Sequence, residues 1–86
     1  YHETKNQANL VKHGLPLSDA ELLEWDLMDS KVDARRDYGE VRRIGIAPIG
    51  ARLYCVVYTE RDDKTHIISL RKAHKKEVAD YVNDTI

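Results

Sequence analysis

The chain has no phenylalanine, one cysteine, one tryptophan, one methionine and two prolines in 86 residues. These scarcities exclude whole classes of function. A lone Cys55 forms no intramolecular disulfide and, without partner ligands, no cysteine-based zinc site; an unpaired thiol fits a reducing, cytoplasmic setting. Four glycines are scattered, and none falls in a phosphate-cradling loop pattern. No apolar run approaches the roughly 18–20 residues of a membrane-spanning helix, and the N-terminus lacks a charged-then-apolar leader pattern. His2, His66 and His74 share no metal-ligand spacing and no H-E-x-x-H cluster exists, so neither a metal nor another cofactor is expected.

What is present reads as one small globular domain, residues 1–86. The composition is 42% apolar and 34% charged, which is too apolar for disorder. A domain of this size buries only about 60–65% of its unfolded surface. The formal net charge of −1 is the balance of two unlike halves. Residues 1–40 carry five Lys/Arg against nine Asp/Glu, whereas residues 41–86 carry nine against six. The second half therefore supports a local positive field, which permits an anionic partner without establishing one.

Periodicity divides the chain into elements. Thr4 to His13 reads as a helix with Thr4 as N-cap, an apolar stripe of Ala8, Leu10 and Val11, and Gly14 as the left-handed terminator. Pro16 blocks its continuation. Ser18-Asp19-Ala20-Glu21 fits a capping box and predicts a second helix running to Met28, with Ala20, Leu23 and Leu27 facing the core. Residues 29–40 are polar and give no clear element. From Val41 the pattern alternates, predicting strands at Val41–Ala47, Ala51–Thr59 and Thr65–Leu70, joined by turns at Pro48-Ile49-Gly50 and Glu60–Lys64. A last helix starts near His74 or Lys75, with Val78, Tyr81 and Val82 turned inward. The fold class is α+β: a small antiparallel meander packed on helices, in the order helix-helix-strand-strand-strand-helix.

Alternation also assigns faces. Ile44, Ile46, Leu53, Cys55, Val57, Ile68 and Leu70 fall on one face, expected to be the core. The other would carry Arg43, Arg52, Tyr54, Tyr58 and Arg71, a surface able to fork guanidinium groups onto phosphates and stack tyrosine rings on bases. A solvated sheet face explains the same pattern. Arg71-Lys72 and Lys75-Lys76 add a compact basic run. Lys12-His13-Gly14 serves as a helix C-terminus, and also places a fixed cation beside a group that titrates near neutrality. Glu60-Arg61 at a strand end pairs a carboxylate with a cation.

Several of these residues recur in a known pattern. Lys5 and Asn9 precede Lys12-His13-Gly14; Tyr38-Gly39-Glu40 leads into Arg42-Arg43. Gly50-x-Arg52, Val56-Val57-Tyr58-Thr59-Glu60-Arg61 and Ile67-Ile68-Ser69-x-Arg71-Lys72-Ala73 follow, with Glu77 and Tyr81 beyond. Over nearly its whole length the chain resembles the BrnT family, the toxin half of a bacterial type II toxin–antitoxin pair. The resemblance implies a RelE-like ribonuclease fold with a basic RNA-binding concavity and a strand ahead of Tyr1. It implies metal-independent cleavage by 2′-hydroxyl attack, and neutralisation by a BrnA-type ribbon-helix-helix antitoxin through which the pair reaches operator DNA.

On that resemblance, Arg71 and Arg61 are expected to stabilise the phosphate and the transition state. His13 or Glu60 would transfer the proton, with Lys12 as an electrostatic partner. Arg43, Arg52, Tyr54 and Lys72 would bind RNA. Position 66 is His where family members often carry Arg. The same surface also fits a non-catalytic module that binds the antitoxin and contributes to operon repression.

Overall fold

The alternation that begins after residue 40 builds a four-stranded antiparallel sheet in the order β1-β2-β3-β4. In this computed structural model, residues 3–34 and 39–85 are described. Tyr38 of the family pattern, with Tyr1 and His2, lies outside the described residues. The strands are β1 (Asp29–Val32), β2 (Arg43–Ile49), β3 (Arg52–Arg61) and β4 (Lys64–Lys72), flanked by helices α1 (Glu3–His13) and α2 (Lys75–Thr85). The α+β meander is as expected. One strand more than expected is present, because Asp29–Val32 pairs with β2 although its residues are polar. Three of its four side chains are exposed, so burial left no periodic mark on the sequence.

The turns are as short as strand spacing requires. Gly50 (φ +60°) and Ala51 join β2 to β3, with the positive φ at the first central position that a right-twisted hairpin favours. Pro48 therefore belongs to β2, opposite Leu53, and not to the turn. It lies past the end of β1, so its missing N–H costs no ladder bond, and its carbonyl accepts the Glu24 N–H at 2.9 Å. Asp62 (φ +53°) and Asp63 (φ +62°) make the β3–β4 turn with both central residues left-handed.

The predicted second helix is replaced by two 3-10 turns, Leu17–Leu22 and Trp25–Leu27. Ser18 caps nothing; its backbone N–H donates instead to Asn6 Oδ1 at 3.0 Å. The three-residue repeat of a 3-10 helix explains the choice. Leu17, Ala20 and Leu23 recur every three residues, and all are buried against the sheet. Trp25 closes this layer, donating its indole N–H to the Ala20 carbonyl at 3.0 Å and meeting Tyr58 edge-on at 5.2 Å.

On β2 and β3 the face assignment is the reverse of that read from alternation, while Leu70 in the core and Arg71 on the other face fall as expected. The helical layer covers Ala47, Tyr54, Val56, Tyr58 and Leu70, while Ile44, Ile46, Cys55, Val57 and Arg71 share the other face. Small residues on the covered face make the close approach possible: Met28 lies over Gly45, where any side chain would collide with it. A bulge in β4 adds the second correction. Val57 pairs with Ser69 and Tyr58 with Ile67, leaving Ile68 as the extra residue and shifting the parity of everything before it.

α1 starts at Glu3, so Thr4 lies inside it and is not its cap. Its apolar stripe is not its buried side either, since Val11 is 87% exposed. The buried residue is Asn9, whose amide bonds both backbone groups of Leu70 and the Leu15 carbonyl. In α2, Val78 and Val82 are exposed, contrary to expectation. That helix is fastened by Tyr81, whose hydroxyl donates to the Leu27 carbonyl at 2.7 Å, and by Glu77.

Candidate functional site

The face of the sheet turned away from the 3-10 layer gathers the cations, with α2 standing over its β1–β2 part. At one end, a cleft of about 260 Å³ is lined by Lys5, Glu40, Arg42, Thr59, Arg61 and His66, with Ile67 and Ile68 beside them. Each reaches it for a local reason. Lys5 sits one helical turn before Asn9, the anchor that fixes α1 along the edge of β4. Arg42 leads into β2, and its segment is tied to β3 by Thr59, whose hydroxyl donates to the Val41 carbonyl at 2.7 Å. Arg61 ends β3, and His66 pairs with Thr59 because the Ile68 bulge sets that register.

Glu40 organises the cleft. It accepts from Arg42 Nε at 3.1 Å and lies 3.8 Å from Arg61 Nε. Three fixed cations against one carboxylate leave an excess of positive charge in a concave site. That is the arrangement an anion fills. The His66 side chain makes no hydrogen bond or ion pair with a described residue.

A second cluster lies farther along the same face. Arg71 grips Glu77 with two guanidinium bonds of 2.7 and 2.9 Å. The same carboxylate accepts the His74 N–H at 2.7 Å, capping α2. His13, at the end of α1, is held below the usual histidine range by burial and then by the charges of Lys12 and Arg71. Lys5 and His13 are about 12 Å apart along the helix. His66 and Arg71 are separated by a similar span of strand. The α1–β4 seam thus runs between two cationic sites.

The Glu77 carboxyl is pulled down to about 2, first by its bonds from Arg71 and further by the His74 N–H. A depressed carboxyl stabilises the fold fully above its ordinary value and loses that contribution as pH falls toward the depressed one. Glu77→Gln is expected to cost about 1–3 kcal/mol at pH 7 and to become nearly neutral near pH 2. Denaturant midpoints of the two proteins across that range measure it.

The structure divides the residues proposed from sequence. Arg61 lies in the cleft, and Lys12, His13 and Arg71 in the second cluster. Glu60, next to Arg61 on a strand, points to the opposite face. Arg43, Arg52, Tyr54 and Lys72 also belong to that helix-covered side. There Arg43 donates to Ser30 Oγ at 3.2 Å and Tyr54 packs on the core. Lys5, Glu40 and Arg42 are not among the site residues read from sequence, whereas position 66 is marked there through the family resemblance as His in place of Arg. For Lys5 a signal existed: Lys5, Asn9, Lys12 and His13 recur at helical spacing and form one polar stripe.

A larger cleft, about 370 Å³, separates α2 from β1 and β2. Its lining of Asp29, Glu77, Asp80 and Asp84 against Lys31 repels phosphate. Asp84 is itself raised by its hydrogen bond with Asp29. Among the described residues no group of acidic, histidine or cysteine side chains is placed to hold a metal, and no helix is long and apolar enough to cross a membrane.

One family model, described as the ribonuclease toxin BrnT of type II toxin–antitoxin systems, matches residues 1–77. No curated protein and no solved structure matches the chain.

Proposed function

The chain belongs to the BrnT family of ribonuclease toxins of type II toxin–antitoxin systems, and from that premise we propose that it cuts RNA at the Lys5–Arg42–Arg61–His66 cleft. The observation that carries the placement is the excess of fixed positive charge there, beside an imidazole that has no partner among the described residues. A phosphate entering the cleft meets Arg61 and Lys5 while Glu40 keeps Arg42 aligned. The next stretch of backbone runs along the α1–β4 seam toward Lys12, His13 and Arg71. Contacts to phosphates of this kind position a strand without reading its bases.

The chemistry is transesterification: the 2′-oxygen attacks the adjacent phosphorus and the 5′-oxygen leaves, giving a 2′,3′-cyclic phosphate. Negative charge builds on the phosphorane, where preorganised guanidinium and ammonium groups stabilise it more than they do the ground state. Three cations crowding the cleft would repel a divalent ion, which supports a metal-independent reaction. The partner antitoxin is of the BrnA type and occludes this face in the cytoplasm, carrying the pair to operator DNA.

The test is cleavage of a 5′-labelled single-stranded RNA by purified protein in excess EDTA, with and without the antitoxin, and with translating ribosomes. Discrete fragments ending in cyclic phosphate, suppressed by antitoxin, are expected. Fragments that require added Mg²⁺ would overturn the metal-independent route. Absence of cleavage in every arm, by folded protein that still binds antitoxin, would make the chain a non-catalytic partner module.

A further inference from the structure

We propose that His66 is the base that takes the 2′-hydroxyl proton, an inference that rests on the reading of the cleft as an RNA-cleaving site. The lining of that cleft leaves one group able to accept a proton. Lys5, Arg42 and Arg61 are cations with no lone pair to offer near neutral pH. The Glu40 carboxylate is engaged by Arg42 at 3.1 Å and Arg61 at 3.8 Å, and protonating it would break up the cations it aligns. Thr59 already spends its hydroxyl proton on the Val41 carbonyl. Ile67 and Ile68 are apolar. His66 remains: half-buried, with neither ring nitrogen bonded to a described residue.

Its position is built and not incidental. The β-bulge at Ile68 puts His66, and not Ile67, across from Thr59 and on the face that carries Arg61 and Arg71. Bulges near reacting centres commonly re-aim one side chain in this way. The alternative proton carriers are elsewhere. His13 sits at the far end of α1 beside Lys12 and Arg71, and Glu60 projects from the other side of the sheet.

In the step assigned here, an unprotonated imidazole nitrogen accepts the 2′-hydroxyl proton as the 2′-oxygen bonds to phosphorus. The bond from phosphorus to the 5′-oxygen breaks, and that oxygen leaves with a proton from solvent water. No electrons change hands, and the imidazolium returns its proton to solvent before the next turnover. The charged groups facing His66 are Lys5 from α1, Glu40 and Arg42 from the segment before β2, and Arg61 from β3.

Two variants separate proton transfer from charge. His66→Gln keeps a polar side chain without a titrating nitrogen, and His66→Arg keeps a cation that never releases its proton. Single-turnover cleavage of labelled RNA is followed against pH, alongside RNA affinity by titration and thermal unfolding. General base catalysis contributes about 10²–10⁴-fold. Both variants are expected to lose that factor, to lose the limb in which the rate rises with pH, and to melt as the wild type does. RNA affinity should be unchanged or higher in His66→Arg. Wild-type activity in either variant, or persistence of the rising limb in both, would overturn the assignment while leaving the ribonuclease reading intact. A wild-type protein that cuts no RNA in any arm would remove both.

Discussion

Arg61→Ala is expected to slow RNA cleavage by about 10²–10³-fold without changing stability by more than about 0.5 kcal/mol. Among the described residues, three arginines line the face turned away from the 3-10 layer, and their engagement distinguishes them. Arg71 is fully committed, with two short bonds to Glu77 that fasten α2. Arg42 is held at 3.1 Å by Glu40. Arg61 touches the same carboxylate only through Nε at 3.8 Å, and its side chain is 60% exposed. Its terminal nitrogens are thus free to fork onto a phosphate, and little stability depends on them. Arg61→Lys keeps the charge but loses the planar fork, so a smaller deficit of about tenfold is expected. Arg71→Ala should behave differently: it releases Glu77 and α2, so its stability falls along with its activity. Single-turnover rates set beside unfolding midpoints sort the three cases. An Arg61→Ala protein that cleaves at the wild-type rate would move the phosphate site out of this cleft.

How far the sequence foretells this arrangement depends on which signal each element carries. The β3–β4 hairpin is legible because nearly every residue between Arg52 and Lys72 is extended and alternating. β1 is not, since its exposed side chains gave hydrophobic patterning nothing to register. The 3-10 turns mimic an amphipathic helix because spacings of three and of three-to-four residues coincide over two turns. The Ser18-to-Glu21 pattern then reads as a cap that the chain never forms. The faces of β2 and β3 are inverted for a related reason. Ile44, Ile46, Cys55 and Val57 are as apolar as a core face, and only Gly45 and Ala47 hint that something packs closely on the other side. Arg61 and Arg71 were legible through the family pattern. Position 66 is marked by the same pattern, but the facing of His66 depends on a one-residue bulge, and a bulge is invisible to strict alternation.

The largest effect on stability belongs to a residue with no part in the chemistry. Asn9 is 7% exposed and makes three hydrogen bonds: Nδ2 donates to the Leu15 carbonyl at 2.7 Å and to the Leu70 carbonyl at 2.8 Å, while Oδ1 accepts the Leu70 N–H at 3.2 Å. The amide acts as one residue of a fifth strand, closing the open edge of β4 and fixing α1 to it. Asn9→Ala leaves those three backbone groups unpaired and should cost about 2–4 kcal/mol. Asn9→Asp should cost more at pH 7, about 3–5 kcal/mol, because a carboxylate would face two carbonyl oxygens with nothing to donate. For a domain of this size each kcal/mol is worth about 4–8 °C in midpoint, so the N9D variant is expected to melt at least 12 °C below the wild type. The pH dependence is the sharper check. A carboxyl that folding prefers to keep protonated has a raised folded pKa, so its penalty grows as pH rises above the unfolded value and shrinks as pH falls. The gap between wild type and N9D in denaturant midpoint should narrow between pH 7 and pH 4.5, since the protonated acid restores one donor. A gap that stays constant over that range would mean that Leu70 and Leu15 find water when the amide is lost. Asn9 lies between Lys5 and His13 on α1, so the same measurement reports what holds both cationic sites of the face in place.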